Sequence, residues 1–180
     1  MAEMLDRAER PAAPSRRDPR ETLELLLDDL MRAVSFEKAL VLLYDEERAA
    51  LVGSFGIGVS DAAARALVVP VARSDDPIAS VLRTGAPQPV RDATTDERVP
   101  PDVREALLRM GIGPLVATPL RSTAERTQTR TEGGRRRSPG WETRGEWAWV
   151  VLLSRISGVS RADVEALVPF ARQAVEALSL

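Results

Sequence analysis

The sequence predicts an α+β fold, with an amphipathic helix at each end of the ordered chain and an antiparallel set of short strands between them. Three observations carry this. Leu23, Leu26, Leu27, Leu30, Met31 and Val34 recur at helical spacing behind Asp18-Pro19, a capping residue followed by proline at the first helical position. Val164, Leu167, Val168, Ala171, Val175 and Leu178 do the same behind Ser160 and Asp163, which read as a capping box. Between these helices lie short apolar runs punctuated by glycine, proline and acidic turns, the signature of strands.

Residues 1–17 are rich in Ala, Pro, Arg and acids without a sustained apolar face. Burial there cannot offset the entropy of ordering, so a disordered tail is expected, followed by one domain over 18–180. Ala39 to Tyr44 and Leu51 to Phe55, joined across Asp45-Glu46-Glu47-Arg48, read as a hairpin whose far end is marked by Gly53, Gly56 and Gly58. The spacing G-x-x-G-x-G is not that of a dinucleotide-binding turn, and the glycines read as a bending strand end. Ser60-Asp61 opens a short helix to Ala66, and Leu67 to Ala72 is a third strand. Asp76 then stands as N-cap with Pro77 behind it, for a helix reaching Thr84 and stopping at Gly85.

The pairs Ala86-Pro87 and Gln88-Pro89 force extended backbone into Val90, Arg91 and Asp92. Pro100-Pro101-Asp102 opens a helix with Val103, Leu107, Leu108 and Met110 inward and Gly111 as its stop. Leu115 to Leu120 and Trp147 to Ser154 are the remaining strands. The polar stretch between them is expected to be a flexible insertion at about 122–145. Pro169 removes one backbone hydrogen bond inside the last helix and should bend it.

Composition removes whole classes of chemistry. The chain has no cysteine and no histidine, which excludes disulfides, thiol nucleophiles, imidazole acid-base catalysis and metal sites built on those ligands. Lys38 is the single lysine among 25 basic residues, so the cationic surface is guanidinium, and Lys38 itself reads as a solvated charge at a strand edge. A formal net charge of -2 argues against nucleic acid as the partner, and Arg135-Arg136-Arg137-Ser138 reads as a solvated loop and a candidate kinase target at Ser138. No apolar run reaches the ~20 residues of a membrane span, and the N-terminus lacks the apolar core of a signal peptide, so a cytoplasmic protein is expected.

Taken in order, SFGIGV after the second strand, VVPV before the proline-started helix, TGAPQPVRD, MGIGPLVATPL and the closing WVVLL resemble a GAF domain over roughly Asp18 to Leu180. The resemblance implies a GAF-like, PAS-related antiparallel sheet of five to six strands. Its N- and C-terminal helices would pack on one face, and short helices with a ligand cavity on the other. It implies a non-enzymatic sensory or signalling module that binds a small molecule and transmits through its terminal helices, or alternatively a ligand-free scaffold for dimerisation or partner docking. The chain departs from several subfamilies. It has no asparagine, so the Asn-Lys-Phe-Asp-Glu signature of cyclic-nucleotide GAF domains is missing, although Asp96-Glu97 matches its last two residues in type. Covalent bilin, histidine-ligated haem and sulfoxide-reductase chemistry fail for lack of Cys and His, and no cofactor is expected.

The candidate ligand-binding residues are Phe55, Arg73, Asp75, Asp76, Arg91, Asp92, Thr118 and Trp149. Arg73 and Arg91 flank the helix capped by Asp76, in the region the family turns toward its cavity, which points to a small anion or carboxylate-bearing ligand. Asp75 and Asp76 also have a capping role open to them, Asp92 a turn hydrogen bond, and Phe55 and Trp149 a packing role. Trp147 would share a strand face with Trp149. A homodimer is expected through Leu23, Leu25, Leu26, Leu30, Val168, Val175 and Leu178, because the run Leu25-Leu26-Leu27 carries apolar surface around the side of its helix.

Overall fold

The computed structural model describes residues 18–72, 75–121 and 148–178. Among them the chain runs α1 (Pro19–Val34), β1 (Lys38–Asp45), β2 (Ala50–Ile57), α2 (Asp61–Arg65), β3 (Val68–Pro70), α3 (Pro77–Thr84), β4 (Gln88–Val90), α4 (Pro101–Arg109), β5 (Leu115–Arg121), β6 (Ala148–Ser154) and α5 (Arg161–Leu178). The expected tail, Arg73, the insertion with Ser138, and Trp147 lie outside the described residues.

The local signals act where they were read. The Asp18 carboxylate accepts from the Arg20 amide at 2.9 Å and starts α1. Asp76 accepts from the amides of Ile78 (2.8 Å) and Ala79 (3.4 Å), Pro77 opens α3, and Gly85 ends it at φ 69. Ser160 and Asp163 cap α5 reciprocally: the Asp163 amide donates to Ser160 Oγ at 3.2 Å, and the Ser160 amide to Asp163 Oδ2 at 2.6 Å. α5 continues through Pro169 to Leu178.

All pairings in the six-stranded sheet are antiparallel, in the order β3-β2-β1-β6-β5-β4. β1 and β6 are central and covered on both faces, so both are apolar almost throughout. Leu40, Leu42, Val150 and Leu152 point to one face with Leu115 and Ala117, where α2, α3 and α4 contribute Ala64, Ile78, Val81, Leu82, Val103, Ala106 and Leu107. Ala39, Val41, Val151 and Leu153 point to the other with Val116 and Leu120. There α1 supplies Leu23, Leu27, Leu30 and Met31, and α5 supplies Leu167, Phe170 and Ala174. The terminal helices also pack against each other. Terminal helices on one face and short helices on the other is the expected architecture.

One irregularity reassigns side chains. Val41 pairs with Phe55 but Leu42 with Gly53, so Ser54 is an extra residue in β2. In a regular strand Leu51 and Phe55 would share a face. The bulge puts Leu51 in the core under the short helices and Phe55, 2% exposed, in the core under the terminal helices.

The helical faces differ from expectation by about one flank. Leu108 was expected inward but is 63% exposed, and Ala106 occupies the buried position beside Leu107. On α5 the buried line is Asp163, Leu167, Phe170 and Ala174, which leaves Val168 50% exposed. The strand expected at Leu67 to Ala72 contracts to Val68–Pro70 at the sheet edge.

Gly53 shows what the glycines of β2 are for. A Cβ there would stand 1.8 Å from the carbonyl oxygen of Ala64, because α2 presses directly on the strand, and the Gly53 amide donates to Leu67 O at 2.9 Å. The obstructing atom is backbone and cannot swing aside. Gly53→Ala is expected to destabilise the domain by about 3 kcal/mol, the upper part of the usual overpacking range, as read from urea denaturation. A variant of wild-type stability would show that α2 lifts off the sheet at little cost.

Candidate functional site

The candidate ligand residues do not converge on one cavity. Phe55, Thr118 and Trp149 all project to the face covered by α1 and α5, where Phe55 and Trp149 pack with that core and Thr118 lies between Val116 and Leu120 on β5. For Phe55 the cause is the bulge at Ser54, and for the other two the parity of β5 and β6. Thr118 is fully buried, and its hydroxyl has no hydrogen-bond partner among the described residues. Asp76 is buried as the cap of α3, whereas Asp75 is exposed. Asp92 closes a turn, accepting from the Thr94 amide (3.0 Å) and hydroxyl (2.6 Å), as its position after the X-Pro segment implied. Arg91 is exposed at the end of β4, at the opposite end of that strand from α3.

The space between the sheet and the short helices, where the family resemblance puts a ligand, is packed with apolar side chains. Leu40, Leu42, Leu51, Ile78, Leu82, Leu107, Ile112 and Leu115 are each no more than 2% exposed. Concavities among the described residues open instead at the surface. One of about 350 Å³ lies between α2 and α4, lined by Val59, Ala63, Ala66, Ala106 and Met110. Another, of about 490 Å³, lies at the end of the sheet between Pro89-Val90-Arg91 and the loop from Arg155 to Ser160.

Three polar assemblies escaped the sequence reading because each joins residues far apart in the chain. Arg155, at the exit of β6, donates from Nε to Gly158 O at 2.6 Å, from Nη1 to Val34 O at 3.2 Å, and from Nη2 to Asp163 Oδ2. Its guanidinium also stands 5.8 Å from the centre of the Phe36 ring. It thereby ties the last turn of α1 to the first turn of α5. Burial works to raise the Asp163 pKa, but hydrogen bonds from the Ser160 hydroxyl and amide, together with the Arg155 charge, outweigh it and hold the carboxyl below its ordinary value.

Lys38 is the second. It was expected to be a solvated charge, yet its ammonium donates to Met110 O at 2.6 Å and Gly111 O at 3.0 Å, capping the end of α4 from β1. The carbonyls left free at the end of α4 supply the acceptors. Arg20 is the third. It binds Glu24 at 2.7 Å and Asp61 at 2.9 Å while lying 4.9 Å above the Phe55 ring, and so links α1, α2 and β2. Glu24 first, then Asp61, hold its pKa above the ordinary value, and Arg20 in turn lowers that of Asp61. Asp96, in the acidic pair that superficially matched a nucleotide signature, is gripped by Arg98 at 3.0 and 2.6 Å.

Chemically these groups staple the fold. Among the described residues no set of three or more carboxylates could hold a metal ion, and no helix is long and apolar enough to cross a membrane.

Two measurements test the assignments. A carboxyl depressed in the folded state stabilises at pH values above its unfolded pKa, about 3.9, and loses that contribution as pH falls through the lower folded value. Asp163→Asn should therefore cost about 2 to 3 kcal/mol at pH 7, and the gap to wild type should close below about pH 4. A gap that persists undiminished at pH 3 would assign the loss to the capping geometry alone. Thr118→Val, which removes the orphaned hydroxyl while keeping the branched shape, should raise stability by about 1 kcal/mol in thermal denaturation. A loss of stability would mean that the hydroxyl finds a partner in solution.

The comparisons agree with this architecture. A family model described as the GAF domain matches residues 18–178. Among solved structures, the GAF domain/HD domain protein from Geobacter sulfurreducens is 16% identical with a TM-score of 0.61, covering 90% of this chain and 92% of that one. The GAF-B domain of DevS from Mycobacterium smegmatis is 21% identical with a TM-score of 0.58, covering 90% and 93%. The GAF domain of a phosphoenolpyruvate-protein phosphotransferase from Coxiella burnetii is 14% identical with a TM-score of 0.60, covering 93% and 84%. At such identities these likenesses speak for the fold alone. No match is found among curated proteins. With the family model spanning residues 18–178 and an overall fold shared with these structures, the chain belongs to the GAF domain family.

Proposed function

We propose that this GAF domain is a non-catalytic signalling module acting as a scaffold, whose output surface is the layer formed by α1 and α5. The observation that supports it is the packed face under the short helices. Leu40, Leu42, Leu51, Ile78, Leu82, Leu107, Ile112 and Leu115 are fully or almost fully buried there, so a ligand would have to displace core to enter beneath the helices. The terminal helices, by contrast, still present apolar surface. Leu25 is 60% exposed and Val168 50%, and Leu26, Val175 and Leu178 are half-buried.

Such side chains fit a two-fold contact with a second copy, in which the same patch is covered on both protomers. Not all of the expected dimer residues serve. Leu23 is fully buried and Leu30 8% exposed within the chain's own core, since both face the sheet. The contact would rest on Leu25, Leu26, Val168, Val175 and Leu178.

A sensory reading, with a small molecule as the signal, draws support from the open concavity beside Arg91. A thermal-shift panel of metabolites separates the two, because a ligand at a hundredfold excess over its Kd stabilises by about 2.7 kcal/mol. Absence of any shift favours the scaffold. For the scaffold itself, light scattering at about tens of micromolar is expected to return a dimer mass. Leu25→Glu should raise the dimer dissociation constant by about tenfold or more, with thermal stability of the monomer little changed, since a buried leucine contributes about 1.5 to 3 kcal/mol. A wild-type monomer would remove the dimer from the proposal.

A further inference from the structure

We infer that the concavity at the end of the sheet is a binding site for a small oxyanion, with Arg91 as the group that recognises it. It is bounded on one side by Pro89, Val90 and Arg91 and on the other by the loop from Arg155 to Ser160. Its volume of about 490 Å³ is that of a small-molecule site. The site is distinct from the packed face under α3 and α4, and the inference rests on the sensory reading given above; the dimer test with Leu25→Glu stands or falls without it.

The charge pattern selects the ligand. Arg91 is exposed and makes no hydrogen bond or ion pair among the described residues, whereas Arg20, Arg32, Arg48, Arg65, Arg98, Arg109, Arg155 and Arg161 are each held by an acid. The lining of the concavity contains no carboxylate, and of the two nearby acids Asp163 is paired with Arg155 while Glu37 keeps its charge. Asp163 accepts from Arg155 and Ser160, and Glu37 accepts the Ile156 amide at 3.2 Å. Arg155 is paired with Asp163, so Arg91 is the unpaired cation of the lining among the described residues.

A guanidinium offers paired N–H groups matched to the spacing of carboxylate or phosphate oxygens. The exposed hydroxyl of Ser157 gives a second donor on the facing wall. Gly158, at φ 89, leaves that wall open, since a Cβ built there would meet nothing within 4 Å. The N-terminus of α5 is not part of the argument, because Asp163 already occupies it.

What gives the site a consequence is its neighbour. Arg155 lines the same concavity and holds the carbonyl of Val34 and the carboxylate of Asp163, the ends of the two terminal helices. An oxyanion seated against Arg91 competes for the remaining N–H groups of Arg155 and so bears on the grip between α1 and α5.

The test is a titration of the full chain with inorganic phosphate, and separately with acetate, at pH 7.5 and constant ionic strength, followed by amide and arginine Nε chemical shifts. Saturable shifts at Arg91 and Ser157 to Ser160, extending to Val34 and Ser35, are expected. Response to phosphate alone would assign the site to phosphoryl groups, and response to both would assign it to oxyanions in general. Arg91→Ala should weaken binding about tenfold or more. Ser157→Glu, which places a carboxylate on the facing wall, should abolish it. Arg172→Ala, at an exposed arginine on α5 away from the concavity, should leave it unchanged. Shifts that never saturate, or that survive Arg91→Ala, or that weaken equally in Arg172→Ala, would overturn the inference as general screening of surface charge.

Discussion

Double-sided burial of β1 and β6 is the constraint on which everything else rests. A strand with helices above and below cannot alternate apolar and polar residues, and KALVLLYD and AWVVLLS accordingly carry apolar side chains on both faces. Two helical layers are then obligatory, one on each side. The short helices meet the first need with small residues and a glycine strand that lets α2 approach closely. The terminal helices meet the second, with leucines from α1 and the line Leu167, Phe170 and Ala174 from α5.

Polar groups decide where those layers are fastened. Arg20, Lys38 and Arg155 each reach from one element to the free backbone or carboxylate of another, and each holds a helix terminus or a first turn. Their placement follows from the geometry of helix ends, which leave carbonyls or amides unpaired wherever the chain turns away. A single lysine among so many arginines is fitting at α4: a compact ammonium with three donors suits two adjacent carbonyls better than a planar fork.

The fold was legible in the sequence because its signals are local. Asp18-Pro19, Asp76-Pro77 with Gly85, and Ser160 with Asp163 each specify a helix boundary within four or so residues, and each acts as read. Faces were harder to read. Leu108 and Val168 lie at the margins of their apolar stripes, where a rotation of one residue moves a side chain from core to solvent. Phe55 changed face through a bulge that nothing in GSFGIG announces, since strand pairing across β1 creates it. The candidate site was least legible. Its partners are set by contacts such as Val34 to Arg155, over a hundred residues apart, for which local patterns carry no information.

The sheet itself is open, and its two rims deserve a reading of their own. β3 and β4 are three residues long, and each contains a proline, Pro70 and Pro89. So short a rim, with one amide proton removed from each, offers too few donors to template another strand. Among the described residues these two short strands are poor templates for the addition of a peptide strand or for end-to-end stacking of sheets. At these two rims, association has to read side chains rather than backbone, which spares them the aggregation to which long exposed sheet edges are prone.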